Sequence, residues 1–450
     1  MQAYLDQQRN YFLTDVTKSY AFRIEQLNKL KQAILSNEQA ILDALKKDLN
    51  KSSFEAYTTE IGFTLLSIKS AIRSLRRWMR IKRVPTPIYQ LNTRSYIKSE
   101  PLGNVLIIGP YNYPFQLVIE PLVGAIAAGN TAIMKPSEFT KETEKVLEKV
   151  INETFDPHYL KVITGDYLVT GDLIKLKFDH IFFTGSTRVG QIVYEAASKN
   201  LVPVTLELGG KSPTIVDETV NLKVAARRIA FGKFINAGQT CIAPDYIYVK
   251  KEIHDHFVKE LNHVIETMYS NYEDFGRIVN ERHFNRLLNL INKDQVANHH
   301  HYDFNDRLIS PTVMKNVTWN DPIMKEEIFG PILPVLTYDD IDHLIAELKF
   351  KERPLALYLF SNDKETQDKV FNQLSFGGGA INDTIMHVSN PDLPFGGIGP
   401  SGIGAYHGKH SFELFSHQKS YIKRSTWLDL PLAYPPYSSK KEKLVRRIMK

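Results

Sequence analysis

The chain has 450 residues and a single cysteine, Cys241. One thiol cannot close an internal disulfide, so no disulfide framework holds the fold, and a reducing, cytoplasmic setting is expected. Long apolar runs are also missing. The most apolar stretch, 105–129, is interrupted by Pro110, Pro114, Glu120 and Pro121, whereas a membrane span needs about 20 apolar residues in succession. Charge of one sign is scarce: 56 basic side chains against 50 acidic ones leave a net charge of +6. Spread over the whole chain this does not imply a nucleic-acid partner. Residues Met1 to Thr14 carry Asp6 and Arg9 and have no apolar h-region, so no secretory signal is expected. The only low-complexity tract is His299-His300-His301, within a polar stretch. No second ligand cluster accompanies it, so it reads as a loop and no metal site is expected.

What is present is an ordinary globular composition, 43% hydrophobic and 24% charged. At about 150 residues per domain, the length allows roughly three domains. The first 80 residues read as helical. Ile24, Leu27, Leu30 and Ile34 follow helical spacing, and Ser36 with Gln39 resembles a capping box opening a second helix. A third helical stretch, from about Glu60 to Ile81, ends in the basic cluster Arg73, Arg76, Arg77, Arg80, Lys82 and Arg83, read as a solvated face before Pro85 and Pro87. From Tyr96 onward short apolar runs alternate with helix-like segments: Val105–Ile108, Thr131–Met134, Lys161–Ile163 and His180–Phe183. Continuous apolar strands of this kind predict a parallel, doubly wound α/β sheet with both faces covered. Ligands bind beyond the carboxyl ends of such strands. A second alternating region runs from about Glu218 to Ser416, with strands at Tyr246–Val249 and Leu355–Phe360 and helices at Glu252–Tyr269 and Asp339–Leu348.

Six segments hold residues able to do chemistry. Cys241 follows Asn236-Ala237-Gly238-Gln239-Thr240, and Gly238 should break the preceding helix. On a loop or helix start, nearby N–H groups would favour its thiolate; a buried inert thiol is the bland alternative. Glu207 lies in an apolar segment before Gly209, Gly210 and Lys211. Apolar walls would raise its pKa and suit a general base, unless it merely pairs with Lys211. Asn112, between Pro110 and Pro114, could aim its amide at an oxyanion or simply close a turn. Gly185-Ser186-Thr187-Arg188-Val189-Gly190 follows a strand and suits phosphate, although Thr187 occupies the middle position of the usual glycine pattern. Lys135-Pro136-Ser137-Glu138 places a cation and an anion at one strand end. Glu326-Glu327-Ile328-Phe329-Gly330-Pro331 joins an acidic pair, an aromatic ring and a tight turn.

Taken in order, these segments resemble the aldehyde dehydrogenase superfamily, and Asn382-Asp383 with Pro394-Phe395-Gly396-Gly397 extends the match. Gly404 to Phe412, Tyr434-Pro435-Pro436-Tyr437 and the early position of Asn112 resemble its class 3 branch. The resemblance implies that Cys241 is the nucleophile, Glu207 the general base and Asn112 the oxyanion donor, partnered by the Cys241 backbone N–H. Lys135 and Glu138 would hold the adenosine ribose, Gly185, Ser186 and Gly190 the phosphates, and Glu327 and Phe329 the nicotinamide ribose. Tyr111 stands where many relatives have tryptophan, and Arg188 has no assigned role.

The implied reaction is oxidation of an aldehyde to a carboxylic acid through a cysteine thiohemiacetal and thioester. NAD is expected as the preferred cofactor, with some use of NADP. The expected substrates are apolar aliphatic or aromatic aldehydes, with Phe115 and Tyr111 near the pocket mouth. Implied too are a cofactor domain (1–80 and 102–208), a catalytic α/β domain (209–415) and a small bridging β element (81–101 and 416–450) that joins a homodimer. Three other readings stay open: a CoA-acylating dehydrogenase, which would not need Glu207; a cysteine hydrolase, which would need a histidine beside Cys241; and a non-catalytic protein held to a membrane surface by the basic tail 440–450.

Overall fold

We describe the protein from a computed structural model covering residues 1–427, 429 and 434–449. Leu428, residues 430–433 and Lys450, all within the expected bridging element, lie outside the described residues.

Two six-stranded sheets organise the chain. In the first, five parallel strands run in the spatial order Leu160–Val162, Thr131–Lys135, Asn104–Ile108, His180–Thr184, Val204–Glu207. Strand order therefore reverses between Asn104–Ile108 and His180–Thr184, which is the switch point of a doubly wound sheet. All residues of strands 104–108, 131–135 and 180–184 are buried, as continuous apolar runs require when helices cover both faces. One covering helix, Gln116–Ala128, is buried along its whole length. The N-terminal helices Tyr20–Ser36 and Gly62–Trp78 pack on it, while Glu38–Leu49 packs on helix Lys141–Thr154.

The second sheet is wholly parallel, in the order Thr312–Met314, Ile332–Tyr338, Tyr246–Lys250, Pro213–Val216, Ala356–Phe360, Gly378–Ile381. A third sheet is antiparallel and small: Lys82–Val84, Thr93–Pro101 and Ser416–Arg424. Its nine-residue strand 416–424 is exposed after Ser416. The architecture is the expected one, α/β with a Rossmann-like sheet, a second α/β sheet and a bridging β element. No described helix is long and apolar enough to cross a membrane.

Three local expectations change. Ser36 does not open a capping box, because the helix from Tyr20 runs through it; Asn37 starts the next helix and the Gln39 amide donates to Asp43 instead. Gly238 does not break the helix before Cys241. Helix Leu222–Phe234 has already ended at Phe234, and Asn236, Ala237 and Gly238 are all left-handed. Segment 402–415 also leaves the second sheet. Strand Gly402–Ile403 pairs antiparallel with Val204–Glu207, and helix Gly408–Leu414 packs on helix 116–128.

Candidate active site

The turn after strand 104–108 carries Asn112, which is buried. Flanking prolines contribute, but its position is set mainly from outside the turn. The Asn112 backbone carbonyl accepts from Lys51 Nζ at 3.0 Å and from Asn236 Nδ2 at 2.7 Å. Its own side-chain Nδ2 donates to the Gln239 carbonyl at 3.0 Å. An amide carries two N–H bonds, and the second has no other partner among the described residues.

Across from this turn lies the approach to Cys241. Left-handed backbone at Ala237 (φ 51°) is costly for an L-residue, about 1 kcal/mol. Gly238 (φ 73°) answers a second demand, since a Cβ there would sit 2.3 Å from the Gly330 carbonyl oxygen. The strained turn is anchored by Glu55 Oε1, which accepts the Asn236 N–H at 2.9 Å. It is anchored again by Gln239, whose side chain bonds the Asn236 and Arg277 carbonyls and the Val279 N–H. Tyr113 and Thr240 join their hydroxyls at 2.7 Å. Cys241 is thus on a loop, half-buried and free. Its thiol is not tuned toward the thiolate. Burial, then the negative charges of Glu327 and Glu207, push its pKa up, and the N–H groups of Cys241 and Ile242 only partly oppose this.

Glu207 ends the fifth strand of the first sheet, in register with Thr184 of the fourth. Both carboxyl oxygens of Glu207 are buried without a hydrogen-bond partner among the described residues, and burial raises its pKa well above the usual carboxylic-acid range. The ion pair with Lys211 is not formed, because Lys211 reaches Asp245 at 2.5 Å. Glu327 leans against the turn that follows Glu207. A Cβ on Gly209 would meet its Oε2 at 2.0 Å, and the Gly210 N–H bonds to it. Burial, followed by the nearby Asp245, lifts the Glu327 pKa to about 8. Phe329 (φ 48°) packs edge-on against Tyr111, ring centroids 5.8 Å apart.

The remaining predicted residues line the same strand ends. Lys135 closes strand 131–135, buried, with Nζ 3.8 Å from both Glu138 and Glu144. The backbone N–H of Gly185 bonds the Glu207 carbonyl at 3.0 Å, and Ser186 caps helix Thr187–Ser198. Gly190 faces Leu208, which a Cβ would approach to 2.7 Å. Besides the two Glu207 oxygens, Thr184 Oγ1 is also buried and unpartnered. Three orphaned oxygens at adjacent strand ends mark a site that a bound group would complete. A helix N-terminus, a lysine and a carboxylate at neighbouring strand ends suit the phosphates and ribose hydroxyls of a dinucleotide.

Residues 13–421 match the model of the aldehyde dehydrogenase family. The chain belongs to that family. It is 56% identical over 436 residues to the 4,4'-diaponeurosporen-aldehyde dehydrogenase of Staphylococcus aureus (strain NCTC 8325 / PS 47), covering 96% of this chain and 95% of the relative. A mouse relative, described as a dimeric, NADP-preferring aldehyde dehydrogenase, is 45% identical over 93% of both chains. The solved structure described as the substrate-bound state of Staphylococcus aureus AldH superposes with a TM-score of 0.98 at 53% identity, covering 100% of this chain and 99% of that one. This chain is therefore an NAD(P)-dependent aldehyde dehydrogenase, which oxidises aldehydes to carboxylic acids.

The fold of this aldehyde dehydrogenase also corrects the expected aromatic lining. Phe115 is fully buried at the start of helix 116–128, not at a pocket mouth. Tyr111 packs among Phe329, His283 and Phe139. Tyr113, half-buried on the turn with Asn112, reaches Thr240 beside Cys241, whereas Tyr358 and Tyr406 are as fully buried as Phe115. Phe395 and Phe63 both pack against His407. Sequence reading missed Lys51, Glu60 and the role of Asn236. Lys51 stands in an unremarkable polar stretch, and nothing local marks its burial.

Proposed function

We propose that this aldehyde dehydrogenase works through a thioester on Cys241, hydrolysed by water that Glu207 activates. The observation carrying this reading is the fully buried Glu207 carboxyl, without a hydrogen-bond partner, next to the chain's only thiol. Burial that raises a carboxylate's pKa also makes its ionised form a better base toward water. In this reading Cys241 Sγ bonds to the aldehyde carbon while its proton leaves to solvent. The new alkoxide is met by the spare Asn112 N–H and the Cys241 backbone N–H. When bound, the nicotinamide group supplies the hydride acceptor that the side chains lack. Glu207 then takes a proton from water, the hydroxyl adds to the thioester carbon, and the C–S bond breaks to free the acid and the sulfur.

Lys135 and Glu138 would hold the adenosine ribose, Gly185, Ser186 and Gly190 the phosphates, and Glu327 and Phe329 the nicotinamide ribose. NAD is preferred, because the Glu138 carboxylate would repel a 2′-phosphate, although the mouse relative is described as NADP-preferring. The half-buried rings of Tyr111 and Tyr113, on either side of Asn112, favour apolar aldehydes. The exposed strand 416–424 supports assembly into a homodimer, and the single cysteine supports a cytoplasmic setting. Functionally, segment 402–415 groups with residues 1–80 and 102–208, leaving about 209–401 as the catalytic unit.

Glu207→Gln tests the central step. Turnover should fall on the order of 10² to 10⁴-fold, with an acyl adduct on Cys241 in the intact mass spectrum. Full turnover without an adduct overturns the reading.

A further inference from the structure

Outside the residues that would meet substrate or cofactor, one buried ion pair stands out. Lys51 and Glu60 are both fully buried, with Lys51 Nζ 2.5 Å from Glu60 Oε1. They flank the short helical turn at Ser53–Ala56, far in sequence from Cys241. Each partner also grips the turn that carries Asn112. Lys51 Nζ donates to the Asn112 carbonyl at 3.0 Å. Glu60 Oε2 accepts the N–H groups of Phe115 at 2.9 Å and Gln116 at 3.1 Å, at the start of helix 116–128. The pair therefore holds the turn on both sides of Asn112. The Lys51 ammonium also lies 4.0 Å from the centre of the Tyr113 ring, whose hydroxyl bonds Thr240, the residue before Cys241.

A buried charge pair is often no more stabilising than apolar packing of the same volume. What it does well is fix a geometry, because every bond in it is directional. Here the bonds converge on one backbone carbonyl and one helix start. The Asn112 carbonyl takes a second donor from Asn236 Nδ2, which also bonds the Gln239 carbonyl at 3.1 Å. The Asn112 amide donates to that same Gln239 carbonyl. Both expected oxyanion donors, the spare Asn112 N–H and the Cys241 N–H, are thus tied through one network to Lys51 and Glu60.

We propose that Lys51 and Glu60 are positioning residues for the oxyanion site: they set the distance between the Asn112 amide and the Cys241 loop without touching substrate or cofactor. This rests on the oxyanion role of Asn112 in the reading above. The test is a double-mutant cycle. Lys51→Met with Glu60→Gln removes both charges together and keeps an acceptor for the two helix N–H groups. Combined with Asn112→Ala, it separates action through Asn112 from a general structural role. Removing the pair should lower kcat about 10-fold or more, with KM for aldehyde and NAD within about 2-fold and labelling of the single thiol by iodoacetamide unchanged. In the Asn112→Ala background the same change should lower kcat less than about 2-fold. An equal loss in both backgrounds, or no loss in either, overturns the proposal. An Asn112→Ala enzyme with normal kcat instead overturns the oxyanion reading itself. If the double variant does not fold, Glu60→Gln alone carries the same cycle, read by the same criteria.

Discussion

The two large sheets meet the candidate active site from opposite ends. The first contributes from loops leaving the carboxyl ends of its strands: Asn112 after 104–108, Lys135 and Glu138 at and after 131–135, Gly185 after 180–184, and Glu207 at the end of 204–207. The second contributes from loops entering the amino ends: Cys241 before 246–250, and Glu327 and Phe329 before 332–338. The rule that ligands bind beyond carboxyl ends therefore describes only one half of this site. In the first half the candidate residue directly follows or ends a buried strand. In the second, the residue is placed by a turn that must be held from elsewhere: left-handed backbone at 236–238, and the bonds Lys211 and Asp245 make to the 323–328 loop.

Cys241→Ser gives the largest effect and tests the amino-end half. A serine hydroxyl is a far weaker nucleophile than a thiol, and dehydrogenase turnover should fall on the order of 10³-fold or more. NAD binding, supplied mainly by the first sheet in our reading, should stay within about 2-fold by calorimetry. Loss of NAD binding together with turnover would show that the two halves do not divide the work this way.

Glu120→Gln asks whether a buried acid beside the first sheet must serve chemistry. Glu120 is buried in helix 116–128 with Ser67 as its one hydrogen-bond partner among the described residues, and burial raises its pKa to about 7. Its folded pKa lies above the unfolded one, so its favourable contribution is complete below about pH 4.5 and is lost as pH rises through 7. Glutamine cannot titrate. Relative to wild type, the variant should therefore gain about 3 kcal/mol between pH 4.5 and 8, read by denaturant unfolding at each pH, while kcat changes little. A stability difference that does not vary with pH would break the contrast with Glu207.

Glu138→Gln is the mildest change and stays within the first sheet's half. Removing that carboxylate should shift the kcat/KM ratio toward NADP by about 10-fold, or 1.4 kcal/mol, with kcat on NAD nearly unchanged. A ratio that does not move would mean that Glu138 does not face the ribose.

Legibility followed the same division. Strands 104–108, 131–135 and 180–184 were plain in the sequence because continuous apolar runs have few other uses. Their trailing motifs carried Asn112, Lys135 and Gly185 with them. Cys241 and Glu327 were singled out by motif, yet their surroundings were misjudged. The thiol was expected to be favoured as thiolate, but burial and two carboxylates outweigh the local N–H groups. Glu207 was given a possible partner in Lys211, which turns to Asp245. Phe115 looked like pocket lining and is core.

By itself, the sequence determined the α/β class, the buried apolar strands near 105–108, 131–134 and 180–183, and the identities of the groups that can do chemistry. These are written locally, in hydrophobic period, in turn residues and in side-chain type. Only the tertiary structure decided which carboxyl is left without a partner, which charges face Cys241, and that Lys51 and Glu60 grip the Asn112 turn. Desolvation and hydrogen bonding between residues 61 and 181 positions apart depend on three-dimensional proximity, and no local pattern encodes that.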